Sequence, residues 1–222
     1  MKTFAILPVK TFGAAKQRLS PALDAGPRRA LAEAMLRDVL DALARVPELH
    51  TIVVVTADPA AREAALSAGV QVVADADEAG QSPAATVGIR HALAAGATRV
   101  LLVPGDTPLV DPEELSGLLA RTPSPGVAIV PDRHGPGTNA LVLEPPDVIA
   151  PSFGPGSFER HVAAARAAGA EPRLEHLPGL LPDVDTGEDL ATVAAALALR
   201  PGAAPHTRAA LAAHAVAAGA SA

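Results

Sequence analysis

The feature that most limits what this chain can fold into is its alternation of short β-branched runs with longer helical stretches. Residues 51–56, Thr-Ile-Val-Val-Val-Thr, are too continuously apolar for an amphipathic edge strand and indicate a strand buried on both faces. Residues 27–46 predict a helix, because apolar side chains recur every four residues on one face, at Leu31, Met35, Val39 and Leu43. This alternation predicts a mostly parallel sheet with crossover helices.

The same patterns place the remaining elements. The predicted strands are 3–9, 51–56, 70–73, 99–103, 126–130, 140–143 and 173–177. The predicted helices are 27–46, 60–68, 83–95, one that ends near residue 168, and 187–199. We expect 126–130 and 140–143 to form an antiparallel pair. Residues 1–199 are predicted to be one domain, and 200–222 an Ala-rich C-terminal tail that is loosely attached and partly helical.

Composition excludes several classes of function. The chain has no cysteine, which rules out disulfides, zinc–thiolate sites and a thiol nucleophile. A net charge of −6 and an aromatic content of 2% argue against binding to a nucleic-acid polymer. No apolar stretch approaches the roughly 20 residues of a membrane span, and residues 1–10 do not form a signal peptide because Pro8 and Lys10 interrupt the apolar run. We therefore expect a cytoplasmic protein that does not contact a membrane.

A basic loop follows the first strand. Residues 10–20 contain Lys10, Lys16, Arg18 and a glycine. In open α/β sheets, ligands bind beyond the carboxyl ends of the strands, where this loop must lie. Positive charge beside flexible backbone suits a triphosphate. The alternative is a solvated surface loop without a ligand.

Three carboxylates form a second candidate group. Asp106 follows a buried strand, and Asp183 and Asp185 lie two residues apart, so in an extended segment they face the same side. Such oxygen ligands suit magnesium, which also binds substrate phosphates. The alternatives are a turn residue at Asp106 and helix capping at the pair, since Thr186 with an acid three residues later resembles a capping box.

Two Gly-rich loops form the third group. Residues 135–139 and 154–157 offer backbone N–H groups together with the hydroxyls of Thr138 and Ser157, and the second loop opens a helix. That combination suits a phosphate or a carboxylate, although ordinary Gly-Pro turns are the alternative. His134 and His161 are lone histidines, for which we expect loop or helix-surface positions.

Taken together, these segments resemble the 2-phospho-L-lactate and phosphoenolpyruvate guanylyltransferases of coenzyme F-420 biosynthesis. The resemblance runs from residue 7 to about residue 190, and the six segments occur in order. They are PVKTFGAAKQRL at 8–19, MLRDVL at 35–40, DTPL at 106–109, GTNAL at 137–141, FGPGSF at 153–158 followed by His161, and DVDT at 183–186 followed by Asp189 and Leu190.

The resemblance implies a fold, a reaction and roles for these residues. It implies a Rossmann-like nucleotidyltransferase of the GT-A type, a three-layer sandwich that transfers GMP from GTP to a phosphorylated three-carbon acid. By the same resemblance, Mg²⁺ is held by Asp106, Asp183 and Asp185. The acceptor acid is bound by Thr138, Gly154 and Ser157, and the nucleotide by Lys10, Lys16, Arg18 and Gly105. Asp106, Lys16 and Arg18 are the expected catalytic residues.

The acceptor and the base leave alternatives open. Phosphoenolpyruvate, 2-phospho-L-lactate and 3-phosphoglycerate all fit, and a composition typical of GC-rich actinobacteria favours phosphoenolpyruvate. The segment GQSPAAT at 80–86 departs from the family's Leu-Asn-Ala-Ala type of motif, which leaves base recognition open. A GTP- or CTP-dependent transferase acting on a molybdopterin-type cofactor is one competing hypothesis, and a non-catalytic nucleotide-sensing protein is another. The resemblance is compatible with a homodimer.

Overall fold

A computed structural model shows one twisted sheet at the centre of the protein. The structure describes residues 1–13, 16–21 and 23–220, without the side chains of 217–220. Ala14 and Ala15 of the predicted basic loop, together with residues 221 and 222 of the predicted tail, lie outside the described residues. Within the described part, seven strands pair in the order β3-β2-β1-β4-β6-β5-β7. They are β1 Thr3–Val9, β2 Leu49–Thr56, β3 Gln71–Ala74, β4 Arg99–Leu102, β5 Gly126–Pro131, β6 Thr138–Glu144 and β7 Arg173–Leu174.

Strand direction follows the connections. β1 pairs in parallel with β2 and β4, β2 with β3, and β5 with β7. β6 runs antiparallel to both of its neighbours, β4 and β5, because a short loop returns the chain directly from β5. The predicted antiparallel pair is therefore confirmed, although it lies inside the sheet, with β7 forming the edge beyond it.

Helices cover both faces of the sheet. They are α1 Ala25–Leu43, α2 Pro59–Ser67, α3 Gln81–Ala94, α4 Pro112–Arg121, α5 Ser157–Ala167, α6 Gly187–Leu199 and α7 Pro205–Ala220. Two short 3-10 turns occur at Gln17–Leu19 and Pro178–Leu180. Alternate β1 side chains enter two separate apolar cores: Leu7 packs with α1, α2, α4 and α6, whereas Ile6 packs with α3 and α5. The predicted three-layer α/β sandwich with a mostly parallel sheet is confirmed.

Two differences from the predicted elements have clear local causes. Helix α4 was not predicted, although Asp111 caps it by accepting a hydrogen bond from the backbone N–H of Glu113 and Pro112 opens it. Its buried face carries Leu115, Leu118 and Leu119. Strand β7 stops at Leu174, short of the predicted 177, because Pro178 begins a 3-10 turn that draws Leu177 into the core.

The C-terminal segment differs from its prediction. Residues 205–220 form helix α7, which packs along α1. The carboxylate of Asp38, buried in α1, accepts hydrogen bonds from the backbone N–H groups of His206 and Thr207 at 3.0 and 2.7 Å. The expectation of a loosely attached tail was wrong, because the cap for α7 comes from a distant helix and no local pattern reveals it. The division of the chain near residue 199 stays a prediction.

Within the described ranges, no helix combines the length and the apolar character needed to cross a bilayer.

Candidate active site

A cavity of about 360 Å³ opens at the carboxyl ends of β1 and β4. Its wall is formed by the loop after β1, the turn after β4, the first residues of β6 and the segment before α6. Of the ten residues predicted to act, eight line it: Lys10, Lys16, Arg18, Gly105, Asp106, Thr138, Asp183 and Asp185. Three distant parts of the sequence, predicted separately to bind phosphate, metal and acceptor, therefore share one space.

The loop after β1 is anchored at both ends of its described part. The backbone N–H of Phe12 donates to the carboxylate of Asp58 at 2.8 Å, and Phe12 and Leu19 are buried in the core. Lys16 adopts the left-handed conformation, with φ of 59°, just before the 3-10 turn. The Lys16 side chain is only 6% exposed, whereas that of Arg18 is 75% exposed. The surface-loop alternative is therefore wrong for Lys16.

Lys16 joins two of the predicted metal ligands. Its ammonium donates to the carboxylate of Asp106 and, at 2.9 Å, to Oδ1 of Asp185. Arg18 lies 3.4 Å from the other oxygen of Asp185. Burial alone would lower the pKa of Lys16, but the charges of Asp106 and Asp185 outweigh it and hold that pKa above its usual value. Lys16 is therefore a fixed positive charge at the centre of the cavity.

The two acids before α6 sit in different electrostatic surroundings. Val184 is buried between them, and its N–H lies 3.4 Å from the backbone oxygen of Asp106, which holds the two acidic segments side by side. Burial raises the pKa of Asp183 to about 6, and the charges of Asp106 and Asp185 add to the effect. Burial acts in the same direction on Asp185, but Lys16 and Arg18 reverse it and lower its pKa.

Helix capping accounts for the neighbouring residues and leaves Asp183 and Asp185 free to face the cavity. Thr186 and Asp189 form the predicted capping box: the Thr186 hydroxyl accepts from the N–H of Asp189 at 3.3 Å, and the Asp189 carboxylate accepts from the N–H of Thr186 at 2.7 Å. The same carboxylate is paired with Arg133. The sequence did not single out Arg133, because its partner lies 56 residues away.

Gly105 permits the close approach of the turn after β4. A Cβ atom added there would lie 3.2 Å from a methyl group of Leu36 and 3.3 Å from one of Val9. A larger residue would therefore push the turn that carries Asp106 away from β1. The predicted contact between Gly105 and a nucleotide stays a prediction.

The acceptor residues divide into two groups. Thr138 opens β6 and lines the cavity, and its Oγ1 lies 3.0 Å from Nδ1 of His161. Gly154 and Ser157 do not line the cavity: Gly154 lies in a turn with φ of +106°, and Ser157 is 1% exposed with a hydroxyl that has no partner among the described residues. Their predicted contacts with the acceptor stay predictions.

The two histidines differ from each other. His134 lies exposed in the turn between β5 and β6, as expected. His161 has no exposure to solvent, so its predicted surface position was wrong. Its ring contacts Phe153 edge-on, with centroids 5.4 Å apart. Burial and the charge of Arg160 lower its pKa to about 4. Sequence spacing did not indicate this, because the burial of Ser157, four residues earlier on the same helix face, is evident only in the folded structure.

The donor set around Lys16 fits a hard cation. In the part of the chain that the structure describes, one group of three acidic or histidine side chains has its ligand atoms within 4.8 Å of one another. It consists of Asp38, Asp41 and His206, and Asp38 there caps α7. The carboxylates in the cavity are more widely spaced. The positive charge of the Lys16 ammonium neutralises two of them, Asp106 and Asp185. Such an arrangement suits Mg²⁺, which is usually held by a few carboxylates together with substrate phosphates.

A smaller cavity of about 130 Å³ adjoins the main one. The two share Pro8, Val9, Lys10 and Gln81. Two carboxylates line the smaller cavity: Asp75, which is largely buried, and Glu78, which accepts a hydrogen bond from the hydroxyl of Thr11. Neither acid was singled out from the sequence, because the segment before α3 carries no motif.

Comparison with known proteins identifies the family. Residues 3–195 match the family described as "Guanylyl transferase CofC like". The chain belongs to this family. It is also 50% identical over 210 residues to the phosphoenolpyruvate guanylyltransferase of Conexibacter woesei, and the match covers 94% of each protein.

Solved structures support the fold assignment. A nucleotidyl transferase from Methanothermobacter matches with a TM-score of 0.64 at 18% identity, covering 86% of this chain and 95% of that one. The glucosyl-3-phosphoglycerate synthase of Mycobacterium tuberculosis matches with a TM-score of 0.55 at 13% identity, covering 79% and 70%. The predicted nucleotidyltransferase fold of the GT-A type is confirmed for this member of the CofC family.

Proposed function

We propose that this protein transfers GMP from GTP to phosphoenolpyruvate, releasing pyrophosphate and giving the GDP-linked three-carbon acid used in coenzyme F-420 biosynthesis. The observation that carries the proposal is the convergence of Lys16 with Asp106 and Asp185 in one cavity of a CofC-family chain. The relative from Conexibacter woesei, whose name states phosphoenolpyruvate and the guanylyl group, supports this acceptor.

The reaction is an in-line displacement at phosphorus. A phosphate oxygen of the acceptor acid forms a bond to the α-phosphorus of GTP, and the bond from that phosphorus to the oxygen bridging to the β-phosphate breaks. The nucleophile is already an anion, so no general base is required. The main obstacle is the repulsion between two highly charged phosphates. Lys16 and Arg18, with Lys10 on the same wall of the cavity, supply the positive charge that offsets it.

Mg²⁺ is the proposed cofactor. Asp106, Asp183 and Asp185 would hold it, since they are hard oxygen ligands on one cavity. Burial, with the charges of Asp106 and Asp185, raises the pKa of Asp183 there. When bound, the ion neutralises phosphate charge as it accumulates during transfer. Thr138, Gly154 and Ser157 are the proposed contacts of the acceptor, and Gly105 is a proposed contact of the nucleotide.

The smaller cavity is the proposed site of the guanine base. Its two carboxylates, Asp75 and Glu78, offer only acceptors when ionised. Guanine presents two neighbouring N–H donors on its Watson–Crick edge, whereas cytosine presents one donor beside acceptors. This chemistry favours GTP over CTP and supports the proposed reaction over the competing cytidylyltransferase hypothesis.

Pyrophosphate release tests the proposal directly. The purified chain is incubated with GTP and Mg²⁺, and phosphoenolpyruvate, 2-phospho-L-lactate and 3-phosphoglycerate are offered in turn. We expect release that depends on phosphoenolpyruvate and stops when EDTA removes the metal. Release with a different acid would overturn the acceptor. No release with any acid, combined with release from CTP and a molybdopterin-type acceptor, would establish the competing hypothesis.

The proposed location of the protein is the cytoplasm. A cytoplasmic protein fits a reaction that consumes GTP and a phosphorylated metabolite. A homodimer is the proposed assembly, and light scattering after size-exclusion chromatography would distinguish its mass from the 22.3 kDa of one chain.

A further inference from the structure

His161 is a buried polar side chain that the proposed reaction does not use. It lies in the first turns of α5 with no exposure to solvent, and each of its two ring nitrogens takes part in one hydrogen bond. Nε2 lies 2.8 Å from the backbone N of Ser152, and Nδ1 lies 3.0 Å from Oγ1 of Thr138. Thr138 lines the main cavity, so this histidine connects the cavity wall to the loop before α5.

The first of these contacts fixes the ring's protonation. A backbone N–H can only donate, so Nε2 of His161 must accept from Ser152 with its lone pair. A neutral imidazole has one donor and one acceptor, which leaves the proton on Nδ1. The lowered pKa of His161, about 4, agrees with a neutral ring near pH 7. Nδ1 therefore donates to the Thr138 hydroxyl.

The second contact then fixes the Thr138 hydroxyl. Because its oxygen accepts from His161, the hydroxyl cannot direct its own hydrogen to that nitrogen. The hydroxyl hydrogen remains available for donation to another group. Thr138 lines the cavity, and among the described residues its hydroxyl has no hydrogen-bond partner other than His161. An oriented O–H donor on such a wall suits an anionic group of a ligand.

We propose that His161 is a positioning residue that orients the Thr138 hydroxyl as a hydrogen-bond donor to the acceptor acid. This inference rests on the proposed function for the identity of that acid. It also gives α5 a role in the site, because the same ring holds Ser152 at the start of the loop that carries Gly154. Arg160 strengthens this loop by donating to the backbone oxygens of Ser152 and Pro155 at 2.8 and 2.6 Å.

Two substitutions separate the two hydrogen bonds of the ring. In His161→Asn, the side-chain amide nitrogen lies near the position of Nδ1 and keeps the donor to Thr138. In His161→Gln, the amide reaches the position of Nε2 and keeps the acceptor for Ser152 but loses the donor to Thr138. We expect His161→Gln to raise KM for phosphoenolpyruvate about tenfold, as for a lost hydrogen bond to a charged group. KM for GTP should not change, and His161→Asn should stay within about threefold of the unmodified chain.

A double-mutant cycle with Thr138→Val tests whether the effect passes through Thr138. This change removes the hydroxyl and keeps the shape of the side chain. In the Thr138→Val background, His161→Gln should raise KM for phosphoenolpyruvate no further, because the oriented donor is already absent. Effects that multiply would overturn the inference. Equal losses in the Asn and Gln variants would also overturn it, since they would assign the effect to Ser152 or to packing.

The tautomer can be measured without turnover. Long-range ¹H–¹⁵N correlation spectra of the unmodified chain should show a protonated Nδ1 and an unprotonated Nε2 at His161, and the opposite tautomer would overturn the inference. Failure of the proposed function is distinguishable, because the unmodified chain would then release no pyrophosphate with any of the three acids. Failure of this inference alone leaves the unmodified chain active and the His161→Gln variant indistinguishable from it.

Discussion

Folding stability should depend on pH through His161. Its ring is fully buried, and its pKa is lowered to about 4 by burial and by the charge of Arg160. In the unfolded chain a histidine titrates near its usual value of about 6.5. Between these two values the unfolded state binds more protons than the folded state. The stabilisation is therefore complete above a pH of about 6.5 and is lost as the pH falls toward about 4.

The size of this contribution follows from the difference in pKa. One unit corresponds to about 1.4 kcal/mol, so a difference of roughly 2.5 units gives a full contribution of about 3 kcal/mol, and about 2 kcal/mol is lost between pH 7.5 and pH 5. Asp183 acts in the opposite direction. Its pKa is raised to about 6 by burial and by Asp106 and Asp185, so its stabilisation is present at low pH and is lost as the pH rises through about 6.

Because the two groups oppose each other, a comparison between variants is needed. Urea unfolding is measured at pH 7.5 and pH 5 for the unmodified chain and for His161→Gln, which has no titrating ring. Circular dichroism is the suitable signal, since the chain has no Trp or Tyr. The difference in unfolding free energy between the two chains should shrink by about 2 kcal/mol on going to pH 5. A difference that stays constant within about 0.5 kcal/mol would refute the assignment of a buried neutral ring.

Three further substitutions test the site, the core and the C-terminal helix. Asp106→Ala should reduce pyrophosphate release by at least about a hundredfold with little change in melting temperature. Arg18→Ala, at an exposed side chain, should reduce the release far less. Full turnover of a normally folded Asp106→Ala variant would contradict the metal assignment. Gly88→Ala places a Cβ 2.4 Å from a methyl group of Ile6 and should lower the free energy of unfolding in urea by about 1–3 kcal/mol. Gly26→Ala, in open space on α1, should raise it by about 0.5–1 kcal/mol. Equal effects of the two variants would contradict the packing of α3. Asp38→Ala removes the cap of α7, so it should lower the free energy of unfolding by about 1–2 kcal/mol and speed deuterium exchange in that helix. Unchanged exchange would show that α7 does not depend on Asp38.

Elements whose signal lies in their own residues were predicted well. β1 and α6 have the predicted bounds, Thr3–Val9 and Gly187–Leu199. In β1 a continuous apolar run identifies the strand, and in α6 a local capping box identifies the start of the helix. The convergence of the loop after β1 with Asp106 was also predictable, because the carboxyl ends of parallel strands meet at one edge of a sheet.

Features that depend on distant partners were not predictable in this way. Helix α7 begins where Asp38, 168 residues earlier than His206, accepts its first N–H groups. His161 looks like a helix-surface residue until Ser152 and Thr138 are placed on either side of its ring. Single-residue properties such as polarity predict exposure for both sites, and only the folded contacts show why a polar group can be buried there.

Lys16 pairs with two of the three carboxylates in the cavity, Asp106 and Asp185. Burial raises the pKa of Asp183, and the charges of Asp106 and Asp185 raise it further. Lys16 has a left-handed φ of 59° and a side chain that is only 6% exposed, whereas the side chain of Arg18, in the following turn, is 75% exposed. Asp183 forms no ion pair of its own among the described residues. Under the proposed function, a divalent ion bound together with the phosphates of GTP would supply the missing charge, and metal binding would then be linked to nucleotide binding at this site.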